Sequence, residues 1–133
     1  MKGYKDNIES LTKENNNFRK VLYTAENSQL VLMSLKPGEE IGMEVHDDGD
    51  QFFRFESGKG LLVIDGNQYK VADGDAAIVP QGAMHNVINT SETGEVLKLY
   101  TIYSPPHHRD QVAHETKAQA EADDEHFDGK TTE

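Results

Sequence analysis

The sequence predicts an all-β domain, a sandwich or closed barrel of about nine short strands. Three observations predict it. Short apolar segments recur every eight to twelve positions through residues 18–104, each bounded by turn residues. Asp65-Gly66 separates two of these segments, and that dipeptide tolerates the positive φ angles of a two-residue hairpin turn. No segment in this stretch repeats its apolar residues at helical spacing, which argues against strand–helix–strand folds.

Taken in order, residues 1–17 are polar and rich in asparagine and read as an arm with little core of its own. Strands are expected at 18–24, 29–35, 41–46, 51–56, 60–65, 67–71, 76–80, 85–90 and 96–104. Turn residues mark the breaks, among them Pro37-Gly38, Asp48-Gly49, Gly58-Lys59-Gly60, Asp73-Gly74 and Pro80-Gln81-Gly82. Pro105-Pro106 ends the strand region, because proline cannot continue a ladder. Residues 105–133 form a tail, extended at first. Its helix formers at 117–122 make either a short helix docked on the barrel or a frayed end, with Phe127 as its one large anchor. The expected organisation is an arm at 1–17, a barrel at 18–104 and a tail at 105–133.

A chain of 133 residues is long enough to bury an ordinary core as one domain. It has no cysteine, so structural disulfides and thiolate metal sites are excluded. A net charge of −11 repels nucleic acid, whose binding depends on Lys and Arg against phosphate. Apolar runs such as those at 61–64 and 76–79, four residues each, are far too short to span a bilayer. The first ten residues lack the apolar centre of a signal peptide. The expectation is a cytoplasmic protein with neither nucleic-acid nor membrane partners.

The chemistry concentrates between Gly38 and Asn89. Glu44 and His46 lie two apart, so a strand points both to one face. The chain turns at Asp47–Asp50 and returns through Gln51, Phe53 and Phe55, again two apart. If Glu44 and His46 face inward, the return strand brings Gln51 beside them and lines the wall beyond with phenylalanines. His85 opens a later strand with Val87 and Asn89 on its face. Oxygen and imidazole donors suit a hard or borderline divalent ion. Three or four such ligands on strands leave positions open for water or substrate. His107, His108 and His114 follow the two prolines and are expected to be solvated or packing residues. No Lys or Arg is assigned to the inner face; Arg54 alternates outward and Lys98 is not assigned.

These residues resemble both halves of the cupin signature. Gly38, Glu44, His46, Gln51 and Gly58 keep the spacing of the first half; Gly74, Pro80, Gly82, His85 and Asn89 keep that of the second. The chain is similar to small single-domain bacterial cupins often labelled mannose-6-phosphate isomerase-like. The resemblance implies a double-stranded β-helix, a jelly-roll barrel, and a divalent metal such as Zn, Mn, Fe or Ni. It places the ligand slots at Glu44, His46, Gln51 and His85. Two slots depart from the family pattern: a carboxylate replaces the first histidine and an amide replaces the acid. Asp50 competes for the acid slot, but Gln51 has the right distance to Gly58 and shares a face with Phe53 and Phe55. Glu44 is either a ligand or an acid/base group. The resemblance further implies a small-molecule ligand and a homodimer. Three functions remain open: a metal-dependent isomerase, a dioxygenase, and a binding module without turnover.

Overall fold

A computed structural model describes residues 1–133. In chain order the elements are α1 (Ile8–Glu14), β1 (Arg19–Thr24), β2 (Gln29–Leu35), β3 (Glu44–Val45), β4 (Asp50–Ser57) and β5 (Lys59–Ile64). They continue with β6 (Asn67–Ala72), β7 (Ala76–Val79), β8 (Met84–Ile88), β9 (Leu97–Ser104), β10 (Ala113–His114) and α2 (Lys117–Ala122). The strands form two antiparallel sheets. One has the order β10-β1-β2-β9-β4-β7, the other β3-β8-β5-β6.

Period-two alternation sets which side chains enter the space between the sheets. On β9, Leu97, Leu99, Thr101 and Tyr103 are buried while their neighbours are not. On β4 the inward set is Gln51, Phe53 and Phe55. Sixteen buried residues form one core cluster, with Phe53, Phe55, Met33, Leu35, Leu97 and Leu99 among its largest members. The Asp65-Gly66 hairpin forms as expected. Ile64 pairs with Asn67, and the turn residues have φ of 46° and 81°.

Three elements differ from the expected pattern. The strand expected at 41–46 is ordered as a ladder only at Glu44–Val45. Before it, the chain meets β8 through scattered bonds instead: Ile41 N donates to Val87 O, and Gly42 N donates to the Asn86 side chain. Within the segment read as an arm, residues 8–14 form α1. Asn7 caps it by accepting from Ser10 N at 3.0 Å, and Lys13 pairs with Glu9 one turn away. Lys98 ties this helix to the outer face of the sheet, donating to Lys13 O and to Asn16. The third is β10, which pairs Ala113 and His114 with Lys20 and Arg19.

The tail adopts the short-helix alternative at 117–122, capped by Thr116. Beyond it the chain runs back across the β1 and β2 end of the molecule. Phe127 N donates to His107 O, and Thr132 N donates to Thr24 O. A groove of about 390 Å³ opens between the edge strands β6 and β7, lined by Leu62, Ile64, Tyr69, Val71, Ala77 and Ile78. It lies at the edge of the smaller sheet opposite β3, away from the histidines.

Candidate metal centre

Strand register brings the candidate residues together. β3 pairs with β8 so that Glu44 lies directly opposite His85, on one face. His46 follows β3 immediately and is held by its carbonyl, which accepts from Gly82 N at 2.9 Å. Across the interior, Gln51 sits opposite Tyr103 and Val79 in the larger sheet. Glu44, His46 and His85 each offer a ligand atom, and these atoms all lie within 4.8 Å of one another. Gln51 joins them through its Oε1, 3.0 Å from His85 Nε2. Asp50 is exposed and turns away, accepting from Gln81 N. Phe53 and Phe55 stack behind the site, and Phe53 meets the edge of His85.

Whether these residues fit a cation is answered by the hydrogen bonds around His85. Thr101 donates its hydroxyl to Phe52 O at 2.8 Å. Its oxygen is then free to accept from the Gln51 amide nitrogen at 2.9 Å. That sequence of bonds fixes the amide orientation and aims Gln51 Oε1 at His85 Nε2. The other ring nitrogen, Nδ1, lies 3.1 Å from Ala83 O and donates to it. A neutral imidazole has one N–H, so Nε2 carries a lone pair that faces the lone pair of Gln51. Burial pushes His85 below the ordinary histidine range, which disfavours the doubly protonated ring that would resolve the conflict. A cation between the two acceptors resolves it, since neighbouring ligands of one divalent ion lie about 3 Å apart. His46 points the same way. Its Nε2 is buried with no hydrogen-bond partner, and Glu44 Oε2 stands 3.4 Å off in poor alignment. Burial would raise the Glu44 carboxyl, but His46, Arg19 and His85 outweigh it and hold the group ionised. The donor set fits a divalent ion: two imidazoles, one carboxylate and one amide oxygen.

The residues after the two prolines lie closer to this centre than their sequence suggests. Gln29 pins them: its Oε1 accepts from His107 N and His108 N, and its Nε2 donates to His108 O and Thr24. The His107 ring meets His46 edge-on at 4.5 Å and stacks on Tyr103 at 5.2 Å. Burial holds the Tyr103 phenol well above its ordinary range, so it acts as a donor, and its hydroxyl reaches His108 Nε2 at 3.2 Å. The opposite nitrogen of His108 donates to Glu125 at 2.5 Å, and Arg109 N donates to the other oxygen of that carboxylate. His114 is buried and pairs with Asp123 at 2.9 Å. Tyr103 was legible from the alternation of β9. His107 and Glu125 were not, because the turn and the returning tail that place them leave no periodic signal.

The buried histidines make stability depend on pH. Burial depresses His85, His107 and His108, with His107 brought to about 4. Between that value and the ordinary histidine pKa, the unfolded chain binds protons that the native chain refuses, so stability falls as pH falls. Glu125 acts in the same direction at lower pH. Burial raises it, but His108 and Arg109 N hold it at about 2, so its contribution is lost as pH drops from the ordinary carboxylate range toward 2. Metal-free protein melted in chelator is therefore expected to lose thermal stability steadily from pH 7.5 to 5 and further to 4. A midpoint that stays level across that span contradicts the assignment.

Two sheets facing each other, with two imidazoles, a carboxylate and an amide gathered between them, define a β-sandwich of the jelly-roll type with a candidate metal site. The family model described as Cupin domain matches residues 31–103, and the chain belongs to that family. It is 48% identical over 122 residues to the uncharacterized protein YrkC of Bacillus subtilis. That match covers 87% of this chain and 64% of YrkC, so the chain spans less than two thirds of that relative. The crystal structure of BH2720 from Bacillus halodurans superposes with a TM-score of 0.87 at 44% identity, covering 90% of this chain and 94% of that one. Quercetin 2,3-dioxygenase of Bacillus subtilis is 28% identical over 108 residues, covering 74% of this chain and 32% of that enzyme. No helix is long and apolar enough to cross a membrane.

Proposed function

We propose that Glu44, His46, Gln51 and His85 hold a divalent cation and present it to a small polar molecule. The observation that carries this is the pair of acceptors, His85 Nε2 and Gln51 Oε1, held 3.0 Å apart by hydrogen bonds on either side. A cation bound there supplies a Lewis acid that polarises a carbonyl or hydroxyl oxygen. The chain's own residues keep the donors in place. Ala83 O selects the His85 tautomer, Thr101 orients the Gln51 amide, and Phe53 keeps water from the rear of His85. Glu44 is the single carboxylate among neutral donors and offsets part of the ion's charge. Partial similarity to quercetin 2,3-dioxygenase favours a second reading, in which the ion is redox-active and the reaction is an oxygenation.

Metal analysis of untagged protein, followed by calorimetric titration of the stripped protein with zinc, manganese, nickel and iron(II), tests the reading. One ion per chain is expected. Failure of all four to bind overturns it. Turnover assays with sugar phosphates and with quercetin, each metal supplied in turn, separate isomerase from oxygenase. Gln51→Glu is expected to tighten metal binding by about ten- to a hundredfold, because a second carboxylate joins the ligand set. Unchanged affinity in that variant would remove Gln51 from the set.

A further inference from the structure

We propose that Arg19 anchors a small oxyanion, carboxylate or phosphate, inside the sandwich beside the Glu44–His46–His85 group. The proposal deepens the reading above and rests on it for what lies next to the anion. Arg19 is on β1, where it pairs with Met33 of β2 and with His114 of β10. Met33 is fully buried on the inner face, so register places Arg19 on that face too, with Val21 beside it. Only 9% of the residue is exposed.

A guanidinium is a permanent cation with five N–H donors, and taken out of water it needs partners. Arg19 has none. It forms no ion pair and no side-chain hydrogen bond, and its Nε is buried without an acceptor. Neither nearby acid forms an ion pair or a hydrogen bond with it. Glu125 takes His108 on one oxygen and Arg109 N on the other, and Glu44 faces His46. The Phe18 ring lies 5.4 Å from the guanidinium carbon and covers its face, leaving the donor edge free. The charge nonetheless reaches the metal centre. It acts on Glu44, Tyr103, His108 and Glu125, which come from β3, β9, the segment after the prolines and the tail. A planar fork of donors at a largely buried position matches the two oxygens of a carboxylate or phosphate. The chain's overall charge of −11 repels anions from the outside, so an anion found here is selected by the interior. The substrate class that results is a small molecule with an oxyanion at one end and a metal-binding oxygen at the other.

The test uses the full chain stripped of metal in chelator at low salt. The Arg19 Nε–H resonance is followed by NMR while succinate, phosphate or uncharged succinamide is added. A saturable shift with either anion, and none with succinamide, is expected; the tighter anion identifies the source as carboxylate or phosphate. By calorimetry, Arg19→Gln is expected to weaken that binding at least tenfold, Arg19→Lys to weaken it less, and the exposed neighbour Lys20→Gln to leave it unchanged. A resonance that moves with neither anion, or an Arg19→Gln variant that binds as tightly as wild type, overturns the proposal. Should Arg19→Gln fail to fold, the wild-type titration decides alone. Because no metal is present, a failed anion titration leaves the metal centre standing, and a failed metal titration leaves the anion site standing.

Discussion

His85→Ala is expected to abolish metal binding, with affinity falling more than about a hundredfold. The ring supplies a lone pair already aimed by Ala83 O, and Tyr103 cannot take its place, being a neutral phenol engaged with His108. The effect reads out in two ways. In wild type, an ion at a hundred times its dissociation constant raises native-state stability by about 2.7 kcal/mol, and in the variant the same addition does nothing. Without metal the variant costs less than burial alone suggests. Removing the ring loses packing against Phe53, but it also removes the opposition between two lone pairs. Thermal melts with and without zinc or manganese measure both effects. Equal metal-induced stabilisation of the two proteins would place the ion elsewhere.

Gly58→Ala is expected to cost about 3–5 kcal/mol of folding stability, enough to leave a small domain marginal. Gly58 joins β4 to β5 with φ of +87°, a region that side chains avoid. A Cβ there would lie 2.4 Å from Val96 O and 3.0 Å from Leu97 Cα, both backbone atoms where the chain enters β9, the strand paired alongside β4. Neither can yield without shifting β9, which carries Leu97, Leu99, Thr101 and Tyr103 into the core. Gly74 makes the control. Its φ is +91°, but an added Cβ meets nothing within 4 Å, so Gly74→Ala pays only the backbone term, about 1–2 kcal/mol. Urea unfolding of the two variants separates strain from collision. Equal losses would show that the approach of β9 to the turn is looser than described.

Much of the strand order was legible because alternation is a local signal. Eight of the nine expected segments, all but 41–46, begin and end within two residues of an observed strand, and the Asp65-Gly66 turn forms where its dipeptide stands. The same alternation grouped Gln51 with Phe53 and Phe55 on one face, and all three are buried together. What was not legible depends on irregularity or on distant chain. Arg19 was hidden by a register shift between Val21 and Tyr23, after which both parities of β1 contain buried residues. His107 is placed by the side chain of Gln29, seventy-eight positions away in sequence. Glu125 reaches His108 only because the tail doubles back, and a polar, acidic run gives no sign that it does. Helix α1, about two turns with Thr12 buried, is too short for periodicity to reveal.

The groove between β6 and β7 bears on how the molecule behaves in company. Both strands end their sheets with unpaired backbone, and Ile78 stands beside the opening with 66% of its surface in water. Such a sticky rim invites molecules to zip together edge to edge. Lys70 on one lip and the strong mutual repulsion of chains carrying eleven surplus negative charges keep them apart at neutral pH. Near the isoelectric point of about 4.9 that repulsion vanishes, and the seam becomes the place where clumping begins.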